Sequence, residues 1–174
     1  KHLWLIFFLC GSSFAAAPRP NIVFLICDDL GYGDVHCLNP EHGKIATPGA
    51  DKLAAQGMIF TDAHSGSSVC SPTRYGVMTG RYSWRTSLKS GVLHAEGECL
   101  IAKNRLTVAS LLKEHGYRTA MFGKYLNGYP DTAPSGTYIP PGWDEWISPN
   151  GGTPYKGFDY TMNENGSTVT YGGT

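Results

Sequence analysis

No apolar run in this chain approaches the ~20 residues that cross a bilayer. The longest, Leu3–Cys10, stops at eight, so no stable membrane anchor is expected. Surplus charge is also missing: 14 basic and 14 acidic residues leave a formal net charge of zero. Bulk electrostatics therefore gives no reason to expect nucleic acid or an anionic surface as a partner, and any anion must be gripped locally. Cysteine is scarce, five in 174 residues, and no two have the close spacing of a zinc or thioredoxin motif. Four cysteines beyond Cys10 do not make a disulfide scaffold at this length. What remains is ordinary globular material, 41% hydrophobic and 16% charged, with one domain as the expectation.

The first residues stand apart. A basic first residue, the short apolar run, and the small residues Ala15–Ala17 before Pro18 form the pattern of a secretory signal peptide, residues 1–17. Bulky Phe8 and Leu9 before Cys10 argue against a lipoprotein signal. The chain starts at Lys1 rather than methionine, so a start codon or more is expected to be missing. Export to a periplasm or to the outside is the expectation. It would permit disulfides, and Cys37 with Cys99 is one pairing that sequence leaves open.

Further along, strands and helices alternate. Asn21–Cys27, "NIVFLIC", is the unbroken apolar run of a parallel strand buried on both faces, with Cys27 in the core. "TPGADKLAAQG" reads as a helix capped by Thr47, started by Pro48 and ended by Gly57. "MIFTDA", residues 58–63, reads as a second strand. Pro72–Thr79 and Leu106–His115 read as helices closed by Gly80 and Gly116, and "YRTAMF", residues 117–122, as a third strand. This order predicts an α/β fold with a mainly parallel sheet flanked by helices.

Polar groups follow all three strands: Asp28 and Asp29, then Cys70 to Arg74, then Lys124. Each alone is an ordinary loop residue. Together they fall where open α/β sheets gather ligands. Paired carboxylates suit a hard divalent cation, and the glycines of "DDLGYGD" permit a tight turn around one. Cys70 stands at a helix start, where free backbone amides favour an anion. Arg74 adds a planar donor fork and Lys124 a compact positive charge. The set suits a metal-bound, multiply charged anion. A plain thiolate, which is soft, does not suit such a site.

The stretch "CSPTR" followed by "YGVMTGRY" resembles the signature of the formylglycine-dependent sulfatases. "PNIVFLICDDLGYGDV", "TPGADKLAAQGMIFTDAHS" and "RLTVASLLKEHGYRTAMFGK" are similar to that family's first strand and metal loop, its lead-in, and its helix, strand and lysine. The resemblance implies an alkaline-phosphatase-like sulfatase fold, with residues 18–174 as the N-terminal part of a catalytic domain that is incomplete at its C-terminus and inactive alone. It implies that Cys70 is oxidised by a formylglycine-generating or anaerobic sulfatase-maturating enzyme to an aldehyde. One hydroxyl of the hydrate then attacks sulfur, and the other expels sulfate. Carried over residue by residue, Asp28, Asp29 and modified Cys70 would ligate Ca2+, Arg74 would hold the formylglycine and Lys124 would bind sulfate.

One departure bears on substrate. Where many members read glycine, lysine, tryptophan, histidine, leucine, this chain reads "GKYLNGY", placing Leu126 where a sulfate-contacting histidine is often found. That version, with "YIPPGWDEW" and "MNENGSTVTYG", resembles the N-acetylglucosamine-6-sulfatase branch, whereas Asp28–Lys124 looks more like general arylsulfatases. A sulfated glycan is favoured over an aryl sulfate ester. A metal-dependent phosphatase or phosphodiesterase, and an inert secreted sulfatase-like protein, stay open as alternatives. His64 is assigned no role. Trp143 and Trp146 are expected to pack rather than to stack on sugar, and Asn165–Ser167 is a glycosylation sequon or a turn.

Overall fold

The computed structural model describes residues 19–93, 99–129, 136–152 and 154–173; the expected signal peptide lies outside them. The elements are α1 (Pro48–Gln56), α2 (Cys70–Thr79), α3 (Val108–Glu114), β1 (Ala120–Phe122), β2 (Glu145–Gly152), β3 (Tyr160–Glu164) and β4 (Ser167–Tyr171), with short 3-10 turns between them. Among the described residues no helix is long and apolar enough to cross a membrane.

Local chemistry accounts for the helices. In α2, Pro72 occupies the first turn, where its missing N–H costs no bond. Gly80 ends the helix at φ 65°, its amide bonded to the Gly76 carbonyl at 2.8 Å, a left-handed position that favours glycine. The helix starts at Cys70, two residues before the expected boundary. At α3, Thr107 Oγ1 accepts from the Ser110 amide and Ser110 Oγ from the Thr107 amide, a reciprocal cap. The expected cap by Thr47 is not made. Its hydroxyl instead accepts from the His36 amide and donates to Asp51, tying the preceding loop to α1.

The sheet is mixed, in the order β1-β2-β3-β4. β1 runs parallel to β2 with Met121 opposite Trp146, while β2-β3 and β3-β4 are antiparallel. A bulge at Pro149–Gly151 interrupts the β2-β3 register. β3 and β4 meet at Asn165-Gly166, both at positive φ, the turn chemistry that matches strand twist. The sequon Asn165 is a turn residue whose side-chain oxygen accepts from the Trp146 amide at 2.7 Å.

Two of the three expected parallel strands do not form. Residues 21–27 and 58–63 make no ladder pairs among the described residues, and Cys27 is exposed rather than in the core. An apolar run without alternation is stable as a strand only when neighbours cover both its edges and both its faces. No described residue does so, and Val23 is 82% exposed. The parallel character of the sheet is thus confined to β1-β2 among the described residues. Cys37 and Cys99 are both free thiols.

The core lies between α2 and the sheet. Trp146, fully buried, stacks edge-on against Tyr125 at 5.0 Å and lies 5.0 Å from Tyr129 and 6.0 Å from Trp143. Tyr75, Met78, Leu100 and Leu126 complete it. Both tryptophans therefore pack, as expected. Buried Asn163 donates to the Tyr129 hydroxyl at 2.8 Å and accepts from the Gly166 amide, so its polar atoms are not left unpaired.

Asp144 links α3 to the entry of β2. It receives Lys113 Nζ at 2.7 Å and the Thr119 amide at 2.9 Å. The Lys113 hydrogen bond and then that of Thr119 hold its carboxyl at about 2, against the usual 3.8. The stabilising contribution is complete above the unfolded value and is lost as pH falls from about 4 through about 2. Asp144→Asn is expected to lower the denaturation midpoint at neutral pH, with the gap to wild type closing over that acid range. A gap that stays constant down to about pH 2 would contradict this.

Candidate active site

The three predicted polar groups meet, although two of their three strands do not form. Arg74, on the first turns of α2 and 6% exposed, extends one nitrogen to Asp28 Oδ2 at 3.1 Å. Its other terminal nitrogen donates to the Lys124 carbonyl and, at 3.5 Å, to that of Tyr125. Lys124, just after β1, places Nζ 2.6 Å from the same Asp28 oxygen. One guanidinium therefore joins the end of the first apolar run, the α2 helix and the turn after β1, which is a use of its planar fork.

The charges respond to one another. Partial burial pushes the Asp28 carboxyl up, but the hydrogen bond and charge of Lys124, followed by those of Arg74, outweigh it and hold it below the usual value. Burial likewise works against the Lys124 ammonium, yet the bonds to Asp28 and to Tyr155 raise it above the ordinary lysine value. The Tyr155 ring centroid lies 5.8 Å from Lys124 Nζ, within cation–π range, and its residue is 83% exposed.

Cys70 opens α2 and lines an open cleft of about 1040 Å3, together with Asp28, Asp29, His64, Thr73 and Arg74. Asp29 sits at φ 123°, a strained backbone for a residue with a Cβ. Oxygen donors suited to a hard cation are thus present at the cleft. Among the described residues no three His, Cys, Asp or Glu side chains come together as a ligand set. Asp28 and Asp29 fit a calcium ion in kind but do not complete its usual 6–8 oxygens. His64 is exposed and bonded to Asp62 at 2.7 Å, and Leu126 is buried in the aromatic core.

The sequence reading gave no role to Asn127. Its amide nitrogen donates to the Leu93 carbonyl at 2.7 Å and lies 4.0 Å from Cys70 Sγ. Tyr155 was missed as well. A lone polar residue in the aromatic stretch "KYLNGY" was the available signal for the first. The second carried none.

The family model described as Sulfatase matches residues 20–172. The chain belongs to the sulfatase family. It is 35% identical over 141 residues to N-acetylgalactosamine-6-O-sulfatase of Bacteroides thetaiotaomicron, covering 81% of this chain and 24% of that protein. It is 37% identical over 141 residues to arylsulfatase A of Bos taurus, covering 81% of this chain and 27% of the relative. A solved structure of a protein in complex with its substrate D-glucosamine-2-N,6-O-disulfate superposes with a TM-score of 0.68 at 26% identity, over 89% of this chain and 28% of that one. The fold is accordingly the alkaline-phosphatase-like fold of sulfatases, and the chain spans about a quarter of the length of the curated relatives it matches.

Because Arg74 binds a carboxylate and backbone carbonyls at once, Arg74→Met is expected to cost about 1.5–3 kcal/mol of stability, the scale of hydrogen bonds to a charged group. Arg74→Lys should not restore it, since a point charge cannot span both sets of acceptors. Denaturant titration of both variants checks this; an Arg74→Lys protein as stable as wild type would contradict it.

Proposed function

We propose that this chain carries the nucleophile and anion-binding residues of a sulfatase that hydrolyses a sulfate ester of a carbohydrate, with a 6-sulfated N-acetylhexosamine as the favoured unit. The observation that carries the reading is the meeting on Asp28 of Lys124 and of Arg74, the latter on the helix that starts with Cys70 of "CSPTR". The carbohydrate preference is supported by relatives described as acting on or binding sulfated amino sugars and by the "GKYLNGY" element.

In this reading Cys70 is converted to formylglycine, which supplies a hydrated aldehyde as the nucleophile. Asp28 and Asp29 contribute to holding one calcium ion, which supplies positive charge toward the sulfate. The chain's own residues do the rest. Lys124, held on Asp28 at the edge of the cleft, offers a sulfate group a fixed charged donor that needs no reorganisation when it replaces water, and Arg74 holds the formylglycine side chain. The free amides of the α2 N-terminus favour negative charge next to residue 70. Tyr155 stands exposed beside Lys124, able to offer its ring to a sugar face. Residues 1–17 would direct export to a periplasm or the outside, with a maturation enzyme as the transient partner.

The test uses the full-length enzyme co-expressed with a formylglycine-generating enzyme. It should release sulfate from N-acetylglucosamine-6-sulfate faster than from an aryl sulfate, and leave the matching phosphate ester intact. Cys70→Ala should lose activity by roughly 10³-fold or more, and a chelator should remove activity that added Ca2+ restores. Preferred turnover of the phosphate ester would replace this reading with that of a phosphatase; no turnover of any ester would replace it with an inert binding role.

A further inference from the structure

We propose that Asn127 is the neutral hydrogen-bond donor to the reactive side chain at position 70. This rests on the sulfatase reading above. Of the three residues after Lys124, Tyr125 and Leu126 are 4% and 3% exposed and face the aromatic core. Asn127 turns the other way, with its amide nitrogen 4.0 Å from Cys70 Sγ. Leu126 therefore cannot reach the cleft, and the polar group this segment presents to residue 70 is an amide.

Which end of that amide faces residue 70 is decided by its other neighbour. The Leu93 carbonyl lies 2.7 Å from Asn127 Nδ2. Turning the amide over would set two carbonyl oxygens against each other, since an amide oxygen has no proton to give. The Leu93 segment is held in turn, because its amide donates to the buried Ser71 Oγ at 3.2 Å. Ser71 is itself the neighbour of Cys70 along α2. The amide and the carbonyl of Leu93 are thus both engaged, and one Asn127 N–H is spent on that anchor. The second N–H is directed at residue 70. An oxygen there would accept it, and negative charge on that oxygen would strengthen the bond. Asparagine carries no titrating proton, so Asn127 orients and stabilises that oxygen without taking a proton from it.

The experiment compares wild type, Asn127→Ala and the near-isosteric, donor-free Asn127→Asp in the full-length converted enzyme. The expected result is a loss of kcat of about 10²-fold in both variants, the scale of one oxyanion donor, with KM changed far less. Labelling of residue 70 by an aminooxy probe should also change severalfold in rate. A role limited to anchoring Leu93 would instead lower the melting temperature and raise KM, leaving kcat and labelling near wild type, and would overturn the proposal. A wild type that neither labels nor turns over would overturn the sulfatase reading beneath it. Alkylation of the Cys70 thiol by iodoacetamide then decides the contact separately: a severalfold rate change in Asn127→Ala supports it, and an unchanged rate rejects it.

Discussion

A single carboxylate oxygen, Asp28 Oδ2, receives Arg74 at 3.1 Å and Lys124 at 2.6 Å, and the arrangement of the cleft depends on it. The three residues are separated by tens of positions in the chain, and among the described residues the segment leading to Asp28 has no strand partner to position it. What fixes Asp28 is electrostatic. The Arg74 side chain is 7% exposed and that of Asp28 18%, so the pair is screened less than a surface one. Removing Asp28 would leave the buried Arg74 guanidinium without its carboxylate. Of the two cations that hold Asp28, the proposed reaction uses Lys124 for the sulfate and Arg74 for the side chain at position 70.

The cations are themselves held by the core. Arg74 lies one residue before buried Tyr75 on α2, and Lys124 one residue before buried Tyr125, which packs on Trp146. Trp146 belongs to β2, directly across from Met121 of β1. The parallel β1-β2 pair thus fixes where Lys124 leaves the sheet, and the aromatic cluster fixes how the following turn presents Asn127 while hiding Leu126. Packing and function meet in one seven-residue segment, Gly123–Tyr129.

The parts of this account that were legible in the sequence are those with local causes. Pro72 and Gly80 marked α2 to within two residues of its start, Gly116 marked the end of α3, whose start at Val108 after the Thr107 cap lies two residues past the expected Leu106, and the "CSPTR" and "GK" elements marked Cys70, Arg74 and Lys124. The strand at residues 21–27 was inferred from apolarity alone, which states what a segment needs and not whether its partners are present. β2 was not read as a strand because Pro149, Gly151 and Gly152 interrupt it; the bulge there accommodates them. Asn127 could not be placed because its contacts, Leu93 and Cys70, lie 34 and 57 residues away. The inward turn of Leu126 was equally hidden, being a consequence of the aromatic cluster.

The central claim is that Cys70 is a precursor and not itself the nucleophile. Tryptic cleavage after Lys52 and Arg74 releases the peptide Leu53–Arg74, which contains it. Mass spectrometry of that peptide, from chain co-expressed with a formylglycine-generating enzyme, should show the cysteine replaced by the aldehyde or its hydrate. An unmodified thiol, beside a control sulfatase peptide that is converted in the same cells, would contradict the account.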